Sequence, residues 1–276
     1  MKYLVLGSAG QVGAPLCEYL VSQGHTVQTF DVVHDSEQDL RLANNARLDY
    51  DMSQCDFVFF LAWDVGGSRY LAQYQDTISF IQNNVKIMST VFDALTKHQK
   101  PFVFASSQMS QMGFSTYGIT KALAERATAA LNGITVKFWN VYGPEHSPDR
   151  AHVITDFVHK AKTQGEIRML TTGQESRQML HATDCAGCLY ELSQRYHDLP
   201  RDQEYHVTSF EWITIRDVAN TVAAKFSGTK VTAAETLDTV QQGYRFEPDP
   251  FVLNFWKPTM SLSQGIDDII QRMETV

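Results

Sequence analysis

The sequence predicts an α/β protein built on a doubly wound, Rossmann-type parallel sheet, and three observations predict it. Short apolar runs alternate with amphipathic stretches through the first half of the chain. Several of those runs are apolar on both faces, as strands covered by helices on each side must be. A glycine-rich turn, "GSAGQVG", joins the first run to the first amphipathic stretch. A length of 276 residues suffices for a large core of this kind.

Taken in order, "KYLVLG" reads as a strand, "VGAPLCEYLVSQG" as a helix and "HTVQTFDVV" as a second strand. "CDFVFFLAW" is a third, nearly continuous apolar strand, followed by the long helical segment "DTISFIQNNVKIMSTVFDALTKHQ". "PFVFASS" reads as a strand, "YGITKALAERATAALNG" as a helix and "ITVKFWNVYG" as one further strand. After Tyr142 the rhythm changes. "GPEHSPDR" is a loop, "HVITDFVHKAKTQG" a helix, and "TIRDVANTVAAKFSG" a helix that Thr214 can cap. The tail "SLSQGIDDIIQRMETV" ends helically. Residues 1–142 are therefore expected to form the doubly wound domain, whose opening glycine turn makes it the candidate dinucleotide-binding domain. Residues 143–276 are expected to form mainly a smaller α/β substrate-binding region, with the strand in "QEYHVTS", near 204–208, returning to the first sheet.

Composition narrows the function. The net charge of −8 and the absence of a dense Lys/Arg block argue against a nucleic-acid partner. No apolar run approaches the roughly 20 residues that span a bilayer, so no membrane partner is expected. The N-terminus enters strand-like sequence at once, leaving no room for a signal peptide, and the four cysteines are scattered. The cytoplasm is the expected compartment. Cys185 and Cys188 form a C-x-x-C without a second pair at metal-ligand spacing, so they read as small buried hydrophobes and no metal is expected.

Gly7, Gly10 and Gly13 follow the first strand and, with Ala9, Gln11 and Val12, form a loop opening a helix. Small residues there let the backbone approach a pyrophosphate at the helix N-terminus, where free N–H groups and the dipole favour anions. Such a loop can equally be a plain turn. Asp31, about 20 residues further on at the end of the second strand, is where an acid can bind the adenosine ribose. An acid there repels a 2′-phosphate, so NAD is expected rather than NADP.

Tyr117 and Lys121 stand four apart on one helix face. A phenol is a poor base at neutral pH, its unperturbed pKa being about 10. A nearby ammonium and a cationic nicotinamide would favour the phenolate, making a tunable acid/base for a carbinol proton.

With these residues in view, the chain resembles the extended short-chain dehydrogenase/reductase superfamily, in its NAD-dependent epimerase/dehydratase branch acting on nucleotide sugars. The resemblance covers nearly the whole chain. "GSAGQVG" is similar to the family's glycine loop, and "FFLAW" to its cofactor-lining strand end, with Leu61, Ala62 and Trp63. "NNVKIMSTVFDA" places Asn84 on an Asn-Val helix of the cofactor site, and "FASS" leads to the catalytic Ser. "FWNVYGP", carrying Asn140, resembles the substrate-side strand and turn, and "SRQMLHATDCA" the Arg-x-x-x-His-x-x-Asp segment.

This resemblance implies Tyr117 as acid/base, Lys121 holding the nicotinamide ribose, and Ser107 bonding the reacting oxygen. Ser106 is the register alternative and a cofactor contact. Asn140 would line the substrate side, Arg177 would meet a substrate diphosphate, and His181 and Asp184 read as scaffold. "WDVGG" (63–67) resembles a sugar-pocket loop of GDP-sugar enzymes or is a plain turn. The helices at 76–98 and 117–131 would pair two subunits through a four-helix bundle, and Ile78, Ile81, Val85 and Met88 supply apolar residues beyond one stripe.

The sequence also departs from the family. Only nine residues separate Ser107 from Tyr117, which shortens the loop that walls the sugar pocket. That loop lacks the Asp-Glu pair of dehydratases and the cysteine of 3,5-epimerases. The expected activity is NAD-dependent epimerisation of a nucleotide sugar at C4. The alternatives are an NAD(P)H-dependent 4-keto nucleotide-sugar reductase and a non-catalytic dinucleotide sensor or scaffold.

Overall fold

The computed structural model describes residues 1–145, 151–241 and 245–274. The end of the loop expected at 143–150 and the last two residues of the helical tail lie outside the described residues.

Strand β1 (Lys2–Leu6) shows why the sheet is covered on both sides. Its alternate residues Tyr3 and Val5 enter one hydrophobic cluster while Leu4 and Leu6 enter another, and all four are fully buried. The chain continues through α1 (Gly13–Ser22), β2 (Thr26–Phe30), α2 (Ala46–Gln54) and β3 (Phe57–Phe60). Next come α3 (Ser68–Tyr74), α4 (Ile78–His98), β4 (Phe102–Ser107), α5 (Thr116–Ala130) and β5 (Ile134–Phe138). Thr77 caps α4 by accepting the Phe80 N–H, and Ser115 caps α5 through the Gly118 N–H.

The expected strand "ITVKFWNVYG" divides at Trp139. Beyond it β6 (Asn140–Tyr142) leaves the large sheet and pairs with β8 (Ser176–His181), which also pairs with β10 (Trp212–Thr214). Trp139 itself is held by an indole N–H donated to His206 Nδ1 at 3.1 Å and by edge contact with Trp212. The rest of the chain adds α6 (Val153–Gln164), β7 (Glu166–Arg168), α7 (Ala182–Gln194), β9 (Tyr205–Val207), α8 (Ile215–Ala223), β11 (Lys230–Thr232) and α9 (Leu262–Glu274). Thr214 caps α8 through the Asp217 N–H at 3.0 Å. Helices α6, α8 and α9 enclose a separate core around Phe157, Val218 and Ile266.

Among the described residues the large sheet is six-stranded and parallel, in the order β2-β1-β3-β4-β5-β9. That is a Rossmann-type α/β fold. Strand β9 thus joins the first sheet at its edge, and α7 packs on α1 with Cys185, Cys188 and Leu189 against the cluster containing Leu16 and Leu20. Both cysteines are free and fully buried, and desolvation raises their thiols, which suits a packing role. Strand order reverses direction at β1 and β3, so a crevice opens at their carboxyl ends, where the glycine loop, residues 61–63 and Ser107 gather. No described helix is long and apolar enough to cross a membrane.

Candidate active site

The glycine loop is fixed by two close approaches. Gly7 has φ +90°, and a Cβ on it would lie 2.7 Å from the Ala62 nitrogen; a Cβ on Gly13 would lie 2.0 Å from the Gly7 oxygen. Gly10 has more room, its nearest neighbour being the Gly7 oxygen at 3.3 Å. Helix α1 begins at Gly13 behind Val12 with no side-chain cap, so its positive end faces the crevice. Beside it Gln11 Nε2 and Ser8 Oγ are buried without a partner. Asp31, just past β2, accepts the Ala9 and Val33 N–H groups at 3.0 Å each, which places its carboxylate against the loop. An uncapped helix start, orphaned donors and an acid at this distance fit the pyrophosphate and ribose of a dinucleotide.

Across the crevice, the Leu61 N–H donates to Leu6, and the Ala62 backbone packs against Gly7. Asn84 is fully buried, and its amide exchanges two hydrogen bonds with the backbone of Asp64. The structure therefore brings Asn84 to the 63–67 loop, where it positions Trp63 and Asp64. Gly66 and Gly67 lie close to Tyr70 and to the Ala151 carbonyl, as a tight turn entering α3 requires.

The alternating directions of β4 separate the two serines. Ser106 Oγ donates to Glu125 at 2.5 Å. Ser107 accepts the Met109 N–H at 3.1 Å, and its hydroxyl is the group that draws the Tyr117 phenol pKa down. Of the two serines, Ser107 is the one whose hydroxyl acts on the Tyr117 phenol.

Tyr117 and Lys121 rise from the first turns of α5, and only 8% and 3% of each is exposed. The dry setting works against both charges. Burial pushes the Tyr117 phenol up to about 12, with the Ser107 hydroxyl pulling it back. Burial likewise holds Lys121 well below the usual ammonium range, against the charge of Glu125 one turn on. Lys121 Nζ donates to the Ala105 carbonyl at 2.6 Å and lies 4.0 Å over the Trp63 ring and 5.9 Å from the Tyr117 ring centre. The lowering of the phenol expected from this ammonium is not found in the protein alone: desolvation raises the phenol, and Ser107 is the group that opposes it.

Asn140 has a buried, unpartnered Oδ1, and Trp63 an equally orphaned Nε1. Arg177, on β8, is 8% exposed and forms an ion pair with Asp238 while donating to the Ser176 carbonyl at 2.7 Å. His181 caps α7 through the Thr183 N–H, and Asp184 accepts three hydrogen bonds from Thr259 and Met260. Both join α7 to neighbouring elements rather than facing Tyr117.

Two residues escape a reading of the sequence. Glu125 carries a signal, standing four beyond Lys121 on the same helix. Asp238 carries none, since 61 residues separate it from Arg177.

The sequence model described as the NAD dependent epimerase/dehydratase family matches residues 3–208. A probable GDP-L-fucose synthase 1 of Oryza sativa subsp. japonica is 24% identical over 301 residues, covering 96% of this chain and 89% of the relative. A GDP-6-OMe-4-keto-L-xylo-heptose reductase from C. jejuni superposes with a TM-score of 0.85 at 17% identity, over 99% of this chain and 97% of that one. A UDP-glucose 4-epimerase from Thermus thermophilus, solved with NAD, gives 0.76 at 19% identity, over 99% of both chains. With its match running from β1 through β9, the chain belongs to the NAD-dependent epimerase/dehydratase family, whose cofactor is NAD.

Proposed function

We propose that the chain is an NAD-dependent nucleotide-sugar epimerase acting at C4 through a transient 4-keto sugar. The observation that carries this reading is the burial of Ser107, Tyr117 and Lys121 together, Tyr117 and Lys121 on one helix, with the tightly built glycine loop across the crevice. Gly7, Ala9, Gly10, Gln11, Val12, Gly13 and Asp31 would hold the pyrophosphate and adenosine ribose; Leu61, Ala62, Trp63 and Lys121 would line the nicotinamide side. Asn84 and Ser106 act one step behind, through Asp64 and Glu125.

Bound NAD would accept a hydride from C4 and return it. Tyr117 would take the C4 hydroxyl proton as the carbon–hydrogen bond breaks, and give it back when the ketone is reduced on its other face. Ser107 would steady the reacting oxygen by a hydrogen bond. A positive charge close to the phenol counters the desolvation that holds its pKa up, so Tyr117 gains basicity only when the pocket is charged. Arg177 offers a guanidinium fork suited to a diphosphate, and Asn140 an acceptor for a sugar hydroxyl.

A second reading, reduction of a 4-keto nucleotide sugar, is supported by likeness to the heptose reductase. One experiment separates the two. UDP-glucose, GDP-mannose and dTDP-glucose are each incubated with the purified protein, and the sugar is followed by NMR. A C4 epimer formed without net cofactor consumption supports the epimerase. Steady oxidation of NADPH with a 4-keto sugar nucleotide, and no epimer, replaces it with the reductase.

The same reading includes a homodimer. On α4 Ile78 and Val85 are 69% and 42% exposed, and on α5 Ile119 and Leu123 are 52% and 53% exposed. Four large apolar side chains on two neighbouring helices suit a second copy packing there.

A further inference from the structure

Residues 236–241 lie over the substrate side of the site, and their ties are specific. The root of the segment is bound to the chain leaving β7. The Thr172 N–H donates to the Thr236 carbonyl at 2.9 Å, and Thr236 Oγ1 donates to the Leu170 carbonyl at 2.6 Å. At the tip, Asp238 forms its ion pair with Arg177, both side chains being about nine-tenths buried. The same carboxylate accepts the Val240 N–H at 2.9 Å and the Gln241 N–H at 3.3 Å, closing the turn. Val240 is then buried in the cluster that contains Tyr117, Met109 and Met112. The Gln241 side chain accepts from Gln108, the residue after Ser107, at 3.4 Å.

We propose that Asp238 is a specificity-determining residue. Its carboxylate occupies the phosphate subsite on Arg177, and a ligand's diphosphate must replace it before the 238–241 strap leaves Tyr117. This rests on the reading of Arg177 as the diphosphate-binding residue.

The chemistry is one of like groups in competition. The guanidinium gives Nη1 to the Ser176 carbonyl and Nη2 to Asp238, so a phosphate that takes the paired Nη donors competes with the carboxylate for Nη2. Asp238 left beside a bound diphosphate would face it with like charge in a poorly hydrated site, which is strongly unfavourable. Displacement of Asp238 also removes the acceptor that closes the turn at Val240 and Gln241. Recognition of the diphosphate is thereby linked to uncovering the phenol. A sugar without a diphosphate supplies nothing to displace Asp238, so free sugars are poor ligands. A nucleoside diphosphate binds more weakly than the bare guanidinium would allow.

The test uses the full chain, with UDP, GDP and dTDP as separate probes and calorimetry as the readout. Asp238→Asn removes the charge yet keeps an oxygen for the Val240 and Gln241 N–H groups, and thermal unfolding verifies that each variant is folded. Asp238→Asn is expected to bind the preferred diphosphate about tenfold tighter, and Arg177→Met added to it should abolish that gain. If Asp238→Asn binds no tighter while Arg177→Met alone weakens binding, the competition is overturned and the diphosphate reading stands. If Arg177→Met binds like the unaltered protein, or no probe binds any variant, the diphosphate reading falls and takes this proposal with it.

Discussion

Ser107 at the end of β4 and Tyr117 in the first turn of α5 are both buried, and the serine hydroxyl acts on the phenol. In the proposed reaction these two groups act together on one substrate oxygen. The serine hydroxyl pulls the phenol pKa down against burial, so Ser107→Ala is expected to raise that pKa further. Its kcat should fall by about tenfold to a hundredfold, and the rising limb of the pH–rate profile, which needs the phenolate, should move to higher pH. A profile unchanged from the unaltered enzyme would remove Ser107 from the reaction.

Glu125 makes a different prediction. It is the charge that opposes the desolvation of Lys121, and Ser106 holds it in place at 2.5 Å. Glu125→Gln therefore lowers the Lys121 pKa further. Lysine is charged only below its pKa, so activity that requires the ammonium should be lost at a lower pH in the variant. The measurement is kcat/KM against pH, and Glu125→Asp should restore part of the range.

The glycine loop can be tested by adding one methyl group. A Cβ on Gly13 would sit 2.0 Å from the Gly7 oxygen, a backbone atom that cannot move aside locally. Gly13→Ala is expected to cost about 1–3 kcal/mol of stability and to abolish NAD binding, both read by thermal unfolding with and without NAD. Gly10→Ala, whose Cβ has more space, should unfold near the unaltered temperature.

His181 links pH to stability. Its Nδ1 accepts the Thr183 N–H at 3.3 Å, so the cap requires an unprotonated Nδ1, a tautomer assigned from that bond. Burial lowers the His181 pKa below its ordinary value, with Asp268 opposing. A depressed histidine means that the unfolded chain binds more protons than the native one. The contribution is full above the unfolded pKa of about 6.5 and is lost as pH falls from there toward the native value. His181→Asn, which can still cap, should flatten the fall in Tm between about pH 7 and 5.

The proposed self-association rests on α4 and α5. Light scattering should report twice the chain mass, and Leu123→Glu, which places a charge on that apolar face, should halve it. One chain's mass for the unaltered protein would assign the face to something other than a second copy.

Much of this is legible in the sequence because it is local. The apolar alternation of "KYLVLG" and the double-faced run "FVFF" dictate buried parallel strands, and Tyr117 and Lys121 share a face by helical spacing alone. Thr214 caps the helix its position suggests. What stays hidden depends on distant partners or short elements. The break at Trp139 follows from a hydrogen bond to His206, 67 residues on, and β6, β7, β10 and β11 are each three residues long, too short for periodicity to register. Lys121 stacking on Trp63 and the Arg177–Asp238 pair belong to the same class. The expected depression of the tyrosine pKa fails for a related reason, since burial of a side chain is a property of the whole fold.

The central claim is that the Tyr117 phenol moves the proton while hydride passes to NAD. It is tested most directly with Tyr117→Phe, loaded with NAD and mixed rapidly with the nucleotide sugar that the unaltered enzyme turns over, while the absorbance of reduced nicotinamide is recorded. The expected result is undiminished NAD binding, no transient reduced cofactor, and turnover lowered by about a thousandfold or more. Reduced cofactor forming in the variant as fast as in the unaltered enzyme would contradict it.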